Sequence, residues 1–157
     1  MDSAGLDKIA KKYNDLPDEQ REKIYNKLET MQSDYIKRST SLIDKVEQYS
    51  ESTAEKNVAT HAGNMDSDKQ DMLLRQIDQK MIANLNNTPE KAKEQIKKYM
   101  KYEYQNELSK EDEDAIDKTC DAYSNNTTIN NANNRISKLL DAAENAKRIQ
   151  NRLNVNW

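Results

Sequence analysis

Residues that form tight turns or reactive sites are scarce in this chain. Its 157 residues include 2 Gly, 2 Pro, 1 Cys, 1 His and no Phe. Because Gly and Pro dominate tight turns, their scarcity favours long helices, which need few turns. The lone Cys120 excludes an intrachain disulfide and a cysteine-rich metal site. We expect Cys120 to be a small buried apolar residue, with an intermolecular disulfide as the alternative.

Long apolar runs are absent as well. No stretch approaches the roughly 18 apolar residues of a membrane span, so we expect no transmembrane segment. Residues 1–5 lack the basic segment and the apolar core that begin a signal peptide. We therefore expect a soluble chain, which is cytoplasmic as written, or periplasmic or secreted if Met1 replaces a cleaved signal.

The composition is polar, yet it does not indicate disorder. Charged and hydrophobic residues each make up 34% of the chain, whereas compact domains typically contain about 45–50% apolar residues. Narrow apolar seams between long helices need fewer apolar side chains, and a periodic spacing of these residues argues against a disordered chain. The net charge of -3 and the isoelectric point near 5.3 argue against a general affinity for nucleic acid or anionic membranes.

Two long seams of apolar residues dominate the pattern. In residues 24–49 the apolar positions recur every three or four residues, as in a heptad repeat. Arg38 occupies one of these positions, and Ile36 and Ile43 widen the face. A similar seam covers residues 129–153. The first seam consists of Ile24, Leu28, Met31, Tyr35, Leu42, Val46 and Tyr49, and the second of Ile129, Ala132, Ile136, Leu139, Ala143, Ala146, Ile149 and Leu153.

These seams predict an all-α protein, an elongated helical bundle or coiled coil with two long antiparallel helices over about 18–50 and 128–153. Pro17 fits the first turn of the first long helix, where its missing N–H costs nothing. We expect a smaller helical region over about 51–126 and a single all-helical domain over residues 1–157.

Start and stop signals divide the rest of the chain into shorter helices. The apolar residues of 6–13 share one helical face. Residues 51–62 predict a short helix that Gly63 ends with a C-terminal cap. Residues 67–70 match a capping box, which satisfies free backbone donors at the start of the next helix.

Two further starts follow. Asn86 and Asn87 end the preceding helix, after which Thr88 as N-cap and Pro89 at the first helical position begin another. A last short helix begins at Ser109. The predicted buried residues of these helices are Leu74, Ile77, Met81, Ile82 and Leu85, then Ala92, Ile96, Tyr99, Met100 and Leu108, then Ile116, Cys120 and Tyr123.

No catalytic set emerges from the reactive residues. The only histidine, His61, lies two residues before Gly63, where we expect a partly exposed side chain near a helix end. Cys120 lies in an apolar seam, so we do not expect an activated thiolate. Neither glycine lies in a phosphate-binding loop. We predict no catalytic residue, no cofactor and no metal site.

A run of acidic residues nevertheless raises the alternative of a magnesium site. Asp114, Asp117 and Asp121 are three or four residues apart and share a helical face, as in several all-α enzymes. A second acidic helix would have to face them, and Glu19 and Glu22 are the best candidates. Because helix dipoles also favour acids in a first turn, we prefer a structural role over a Mg-dependent hydrolase. A ferritin-like site is excluded, since Glu-x-x-His pairs are absent.

Residues 91–104 form the one basic and aromatic patch. Lys93, Lys97 and Lys101 make a stripe on one side of a helix, which suits phosphates or an acidic partner. Glu94 and Glu103 interrupt the patch, so we favour a solvated face with buried tyrosines over a nucleic-acid site. The tyrosines are Tyr99, Tyr102 and Tyr104.

The last helix carries a family resemblance. Its residues 130–141 and 146–153 resemble the closing helix of the minor pilus subunits of bacterial type IV secretion systems. The resemblance implies a long first helix, a smaller helical middle and a long last helix, in a protein exported to the periplasm and placed at the pilus tip as an adhesin. The start at Met1 lacks the export signal of this family unless the chain is a fragment, and the resemblance assigns no functional residues.

The sequence thus favours a non-enzymatic helical protein that binds other proteins. Self-association is one form of such binding, because sparse seams leave apolar strips uncovered. The main alternative is an exported adhesin or assembly subunit of a bacterial type IV secretion apparatus. An all-α Mg-dependent hydrolase and a nucleic-acid-binding protein are further alternatives.

Overall fold

The computed structural model describes residues 2–83, 88–105 and 107–154, apart from the side chain of Asn154. These residues are mainly helical and include no β-strand, which confirms the all-α fold. Leu85, Asn86 and Asn87, which figured in the predictions, lie outside the described residues. The elements are α1 (Ser3–Asn14), α2 (Asp18–His61), α3 (Ser67–Ile77), a π-helical turn (Asp78–Ile82), α4 (Pro89–Tyr104), α5 (Lys110–Ser124) and α6 (Thr127–Asn154).

Contacts between these elements divide the chain into two compact units. The first unit comprises Met1–Ile43 and Asn134–Trp157, and the second comprises Asp44–Asn133. Helix α1 belongs to the first unit, and α3, the π-helical turn, α4 and α5 belong to the second. Both α2 and α6 contribute residues to each unit.

One small buried cluster of the first unit forms around α1. Asp2 caps this helix, since its carboxylate accepts the backbone N–H of Gly5 at 2.8 Å. Ala10 and Tyr13 are buried with Leu153 of α6, as the apolar spacing of α1 predicted. The partly buried residues that complete this cluster are Ile9, Leu28 and Ile149.

The first long helix extends further than predicted. It begins directly after Pro17, whose carbonyl accepts a helical hydrogen bond, but it ends at His61 instead of near residue 50. The segment predicted as a separate short helix continues α2, and it buries Ala54 and Val58 in the core of the second unit. No breaker residue separates the two segments, and tertiary packing keeps the helix intact.

Gly63 follows α2 for a steric reason. Helix α2 ends two residues before Gly63, which confirms the predicted stop at this glycine, although no described glycine has a positive φ. A Cβ atom at this position would lie 2.6 Å from the carbonyl oxygen of Ala59. The position therefore requires glycine because the backbone passes very close to the last turn of α2.

Two serines occupy fully buried positions of α2. Ser39 and Ser50 are each 1% exposed, and the Ser39 hydroxyl donates to the carbonyl of Ile36 at 2.8 Å. Arg38, which was predicted within the seam, is exposed and lies 3.6 Å from Asp34 on the same helix. The predicted seam contains one interval of seven residues, and a further buried position lies three or four residues into that interval. Ser39 occupies this position. It was missed because serine is small and polar, although its hydroxyl is satisfied within its own helix.

The second unit contains the larger core. Its fully buried residues include Leu73 and Ile77 of α3, Ile96 and Met100 of α4, and Ile116 of α5. All of them except Leu73 belong to the buried set predicted from the sequence. Further buried members are Ala54, Val58, Ala62, Met65, Ala115, Cys120, Tyr123 and Ile129, and Leu108 packs against them from the segment between α4 and α5.

The predicted starts of α4 and α5 are confirmed. The Thr88 hydroxyl accepts the backbone N–H of Lys91 at 3.3 Å, and Pro89 is the first helical residue. Ser109 and Asp112 form a reciprocal capping box, with bonds of 3.0 and 3.2 Å.

The capping box predicted at residues 67–70 is wrong. Helix α3 is preceded by Asp66, whose side chain makes no capping bond. The Gln70 side chain donates instead to the carbonyl groups of Met65, at 2.7 Å, and of Gly63, at 3.2 Å. Gln70 thus holds the turn before α3 by satisfying its backbone acceptors.

Helices α2 and α6 contact each other within the first unit, and α2 meets the start of α6 within the second. In the first unit, the Gln32 side chain donates to Gln150 at 2.6 Å. In the second unit, the Tyr49 hydroxyl lies within hydrogen-bonding reach of Asn126, which precedes α6, and of Thr128 in its first turn.

Candidate functional site

Three ion pairs join α4 to α5. The lysines recur every four residues along α4, and the acids recur every four residues along α5 in the opposite order. Antiparallel packing therefore brings each lysine next to one acid. We call this set the ionic ladder, and its pairs are Lys93 with Asp121 at 3.1 Å, Lys97 with Asp117 at 3.2 Å, and Lys101 with Glu113 at 2.7 Å.

The ladder favours the charged forms of its members. The hydrogen bond to Asp121 raises the pKa of Lys93. The hydrogen bond from Lys101 lowers the pKa of Glu113. Because these side chains are partly exposed, water screens each pair and keeps its contribution modest. The lysine stripe predicted as a solvated face is thus an internal contact.

The ladder also changes the environment of the predicted magnesium ligands. Asp117 and Asp121 each hold a lysine, and Asp114 is exposed outside the ladder. A divalent cation at these carboxylates would have to displace Lys93 and Lys97. Among the described residues, no group of three or more His, Cys, Asp or Glu side chains could hold a metal ion.

The acids expected to face that site lie in the first unit. Glu19 lies 3.8 Å from Lys23, one turn further along α2. Glu22 lines an open cleft of about 590 Å³. The other described residues that line this cleft are Asp18, Arg21, Tyr25 and Asn26.

Lys69 is a buried cation that the sequence did not single out. It is 8% exposed, and its Nζ donates to the carbonyl of Glu107 at 2.9 Å and to Asp112 at 3.1 Å. Burial opposes ionisation of Asp112, but hydrogen bonds from Ser109 and Lys69 outweigh it and lower the pKa of this carboxyl. The hydrogen bond that Lys69 donates to Asp112 likewise raises the pKa of Lys69. Its spacing of four residues from Leu73 was the signal for burial.

His61 and Cys120 occupy different environments. His61 is exposed at the end of α2 and lines a cavity of about 280 Å³ together with Glu111, Asp114 and Lys118. Cys120 is fully buried, and burial raises the pKa of its thiol to about 12. The expectations of an exposed histidine near a helix end and a buried cysteine are confirmed. Burial thus disfavours the thiolate, which is the nucleophilic form of cysteine.

Asp78 lies at the start of the π-helical turn, where the backbone N–H of Ala83 donates to its carbonyl at 2.9 Å. Its Oδ1 atom is buried and has no hydrogen-bond partner among the described residues. Burial, together with the nearby carboxylates of Glu51 and Glu55, raises the pKa of Asp78. The environment of this carboxyl therefore disfavours its charged form, unlike that of the ladder acids, each of which faces a lysine.

Two tyrosines of α4 lie at the surface instead of in the core. Tyr102 is 76% exposed and Tyr99 is 37% exposed, so their predicted burial is wrong. Tyr104 is partly buried, and its hydroxyl donates to the carbonyl of Asp68 on α3 at 2.9 Å. The ladder occupies one flank of α4 and the apolar core occupies the adjacent face. Helical spacing therefore leaves Tyr99 and Tyr102 on the opposite flank.

Arg75 of α3 lies near Tyr99 and Tyr104. It is two helical turns along α3 from the contact just described, and its charge acts on the Tyr99 hydroxyl. The hydrogen bond from Tyr99 to Glu103 raises the pKa of this tyrosine, and Arg75 opposes the shift. We call Arg75, Lys98, Tyr99 and Tyr102 the aromatic surface.

Both cations of the aromatic surface are available to a partner. Arg75 and Lys98 are exposed, and neither makes an ion pair within the described part of the chain. Lys98 lies one turn before Tyr102, so the two side chains are neighbours on the helix surface. A guanidinium, an ammonium group and two phenol rings thus share one side of the second unit.

Comparisons with known proteins identify no relative. No protein-family model, curated protein or solved structure matches this chain. Within the described ranges, none of the helices combines the length and the apolar character that a membrane crossing requires.

Proposed function

We propose that this protein acts without catalysis, by binding another protein through the aromatic surface. The exposure of Tyr99 and Tyr102, with the Arg75 guanidinium near Tyr99, is the observation that supports this function. Tyrosine and arginine are enriched among the residues that dominate binding energy at interfaces. A tyrosine ring buries a large apolar area and its hydroxyl still forms a hydrogen bond, so partial exposure in the free protein suits a later contact.

The internal use of the other charged groups also supports binding through this surface. A Mg-dependent hydrolase would need Asp117 and Asp121 free of their lysines, and a nucleic-acid site on the same helix would need those lysines free of the acids. Binding of either ligand would break ion pairs of the ionic ladder. It would leave lysines on α4 and acids on α5 without their partners. The aromatic surface needs no such rearrangement, because its cations have no ion pair to break within the described residues.

Site-specific photo-crosslinking tests the proposed function. A photoreactive phenylalanine derivative that replaces Tyr102 should form a covalent adduct with one protein in cells that naturally make this chain. Adding Tyr99→Ala should weaken the adduct strongly, because a neighbouring anchor is removed. Mass spectrometry of the adduct identifies the bound protein.

The matched control places the same photoreactive residue at Glu144, which is exposed on α6. This position should yield no adduct with the same protein. Identical adducts from both positions, or no protein adduct from Tyr102 in folded chain, would reject the aromatic surface as the binding site. Circular dichroism of each variant confirms that the helices remain formed.

A further inference from the structure

The charges around Tyr99 and Tyr102 are unbalanced. Helical spacing places Lys91, Gln95 and Lys98 on the same flank of α4 as the two tyrosines, and the exposed acid beside this flank is Glu94, one turn before Lys98. Lys91 and Lys98 make no ion pair within the described residues. On the opposite flank of the same helix, each lysine of the ionic ladder holds an acid of α5.

Arg75 adds a third positive charge from the neighbouring helix. It approaches Tyr99 from α3 and is exposed without an ion pair in the part of the chain that the structure describes. Three cations therefore face two acids of α4, Glu94 and Glu103, and the Glu103 carboxylate accepts the Tyr99 hydroxyl. An incoming carboxylate would therefore find a guanidinium that offers paired N–H donors.

We propose that the partner of the aromatic surface is an acidic protein segment, in which carboxylates pair with Arg75 and Lys98 and apolar side chains pack on Tyr99 and Tyr102. This inference rests on the proposed function and adds the chemistry of the partner. Charge complementarity selects the segment, since opposite charges steer association and like charges suppress wrong partners. The phenol rings supply the apolar contact that orients it.

The inference can be tested with a phage-displayed library of random peptides, selected on the full chain. Peptides that bind should be enriched in Asp and Glu next to aromatic or aliphatic residues. A synthetic peptide of the enriched sequence should bind Arg75→Glu about tenfold more weakly or worse. Its affinity for the wild-type chain should also fall as salt is raised, because exposed charges are screened.

Lys138→Glu is the matched control, since Lys138 is an exposed lysine of α6 outside the aromatic surface. This reversal changes the net charge by the same amount, and it should leave peptide binding unchanged. Equal weakening by Lys138→Glu and Arg75→Glu would show a general charge effect and overturn the inference.

Two further outcomes separate this inference from the proposed function. Selected peptides that require Tyr102 but carry no acidic residues would overturn the acidic partner and leave the binding surface in place. Peptides that bind the Tyr99→Ala, Tyr102→Ala double variant as well as the wild-type chain would overturn both. Binding of single-stranded oligothymidine that is lost in Arg75→Glu, with no acidic peptide selected, would assign the surface to nucleic acid and overturn the acidic protein partner.

Discussion

Lys69 and Asp78 are two charged residues of the second unit whose hydrogen-bond and charge partners differ. The ammonium group of Lys69 is buried, but it has a carboxylate and a backbone carbonyl as acceptors. The carboxyl of Asp78 lies near Glu51 and Glu55 and has a buried oxygen without a hydrogen-bond partner in the described residues. Whether such a residue stabilises the fold depends more on its hydrogen-bond and charge partners than on burial itself.

Replacing Asp78 with asparagine should stabilise the protein at neutral pH. The change removes like-charge repulsion with Glu51 and Glu55, so the free energy of unfolding should rise by about 0.5 kcal/mol. The pKa of Asp78 is raised in the folded state, so wild-type stability should increase as the pH falls from the folded pKa to the ordinary value. Urea unfolding across this pH range measures the effect.

Asp78→Asn should lack this gain in stability on mild acidification. Asp71→Asn is the control, because Asp71 is an exposed aspartate of α3. If both variants gained stability to the same extent, the repulsion assigned to Asp78 would be wrong.

Replacing Lys69 with methionine should destabilise the second unit. The change leaves Asp112 and the Glu107 carbonyl without their shared donor, so Tm should fall by roughly 5 °C. The exposed Lys118→Met provides the comparison. Thermal unfolding followed by circular dichroism should give a much smaller fall in that control, and equal falls would contradict the role of Lys69.

The same pair has a defined pH dependence. The pKa of Asp112 is lowered in the folded state. Its contribution is therefore complete above the ordinary aspartate pKa and is lost as the pH falls through the folded value. Lys69→Met should reduce this acid-dependent loss, because one cause of the lowered pKa has been removed.

At the scale of elements, the ionic ladder joins two motifs that the sequence had presented as separate candidate sites. Both periodicities were visible along the chain, but a sequence does not show that the stripe of α4 faces the stripe of α5. The direction and register of the two helices decide this, and they follow from packing of Ile96, Met100 and Ile116 in the core. Charged stripes were predictable, and their pairing was not.

Exchanging the charges of one ladder pair tests this register. Lys97→Glu should cost about 1 kcal/mol and Asp117→Lys a similar amount, because each variant places like charges together. The double variant should recover most of the loss. The coupling free energy from urea unfolding of the four proteins measures the contact, and additive losses would mean that Lys97 and Asp117 do not interact.

Gly63→Ala tests the close approach that follows α2. The added Cβ would meet the Ala59 carbonyl oxygen at 2.6 Å, so the backbone must shift at a cost of about 1–3 kcal/mol. Ala62→Gly, at the preceding position, is not a suitable control for this variant, because it removes a buried side chain. Hydrogen exchange at the end of α2 separates a local shift from a general loss, and an unchanged Tm would refute the steric role of Gly63.

At the scale of the whole molecule, the hydrophobic core is unevenly distributed. The buried cluster around α1 contains Ala10, Tyr13 and Leu153, whereas the cluster of the second unit draws on α2, α3, α4, α5 and α6. Local stability follows the number of apolar contacts that must break before a segment opens. Helix α1 should therefore open more readily than the helices of the second unit.

Hydrogen–deuterium exchange can measure this difference. Amides of α1 should exchange faster than amides of α4 and α5, and Tyr13→Ala should remove most remaining protection from α1 because it empties the centre of the small core. Protection in α5 should change little. Equal protection of α1 and α5 in the wild-type chain would contradict the uneven distribution.

The fold class could be predicted from the sequence because it depends on local periodicity. Which residues are exposed at the binding surface could not be predicted in this way. The seams of α2 and α6 and the starts of α4 and α5 were all legible as short-range patterns. Tyr102 was misplaced because an aromatic residue at helical spacing suits a core or an interface equally well. Its exposure depends on which flank of α4 the ladder and the core already occupy.

The ionic ladder also predicts how this chain tolerates change over evolutionary time. A substitution that removes one charge leaves its partner facing the neighbouring helix alone, so compensating substitutions should follow on the other helix. Related sequences should therefore covary at three pairs of positions in α4 and α5, even where each residue differs. This paired variation would reveal how α4 and α5 are aligned in distant relatives, even where the individual residues are not recognisable.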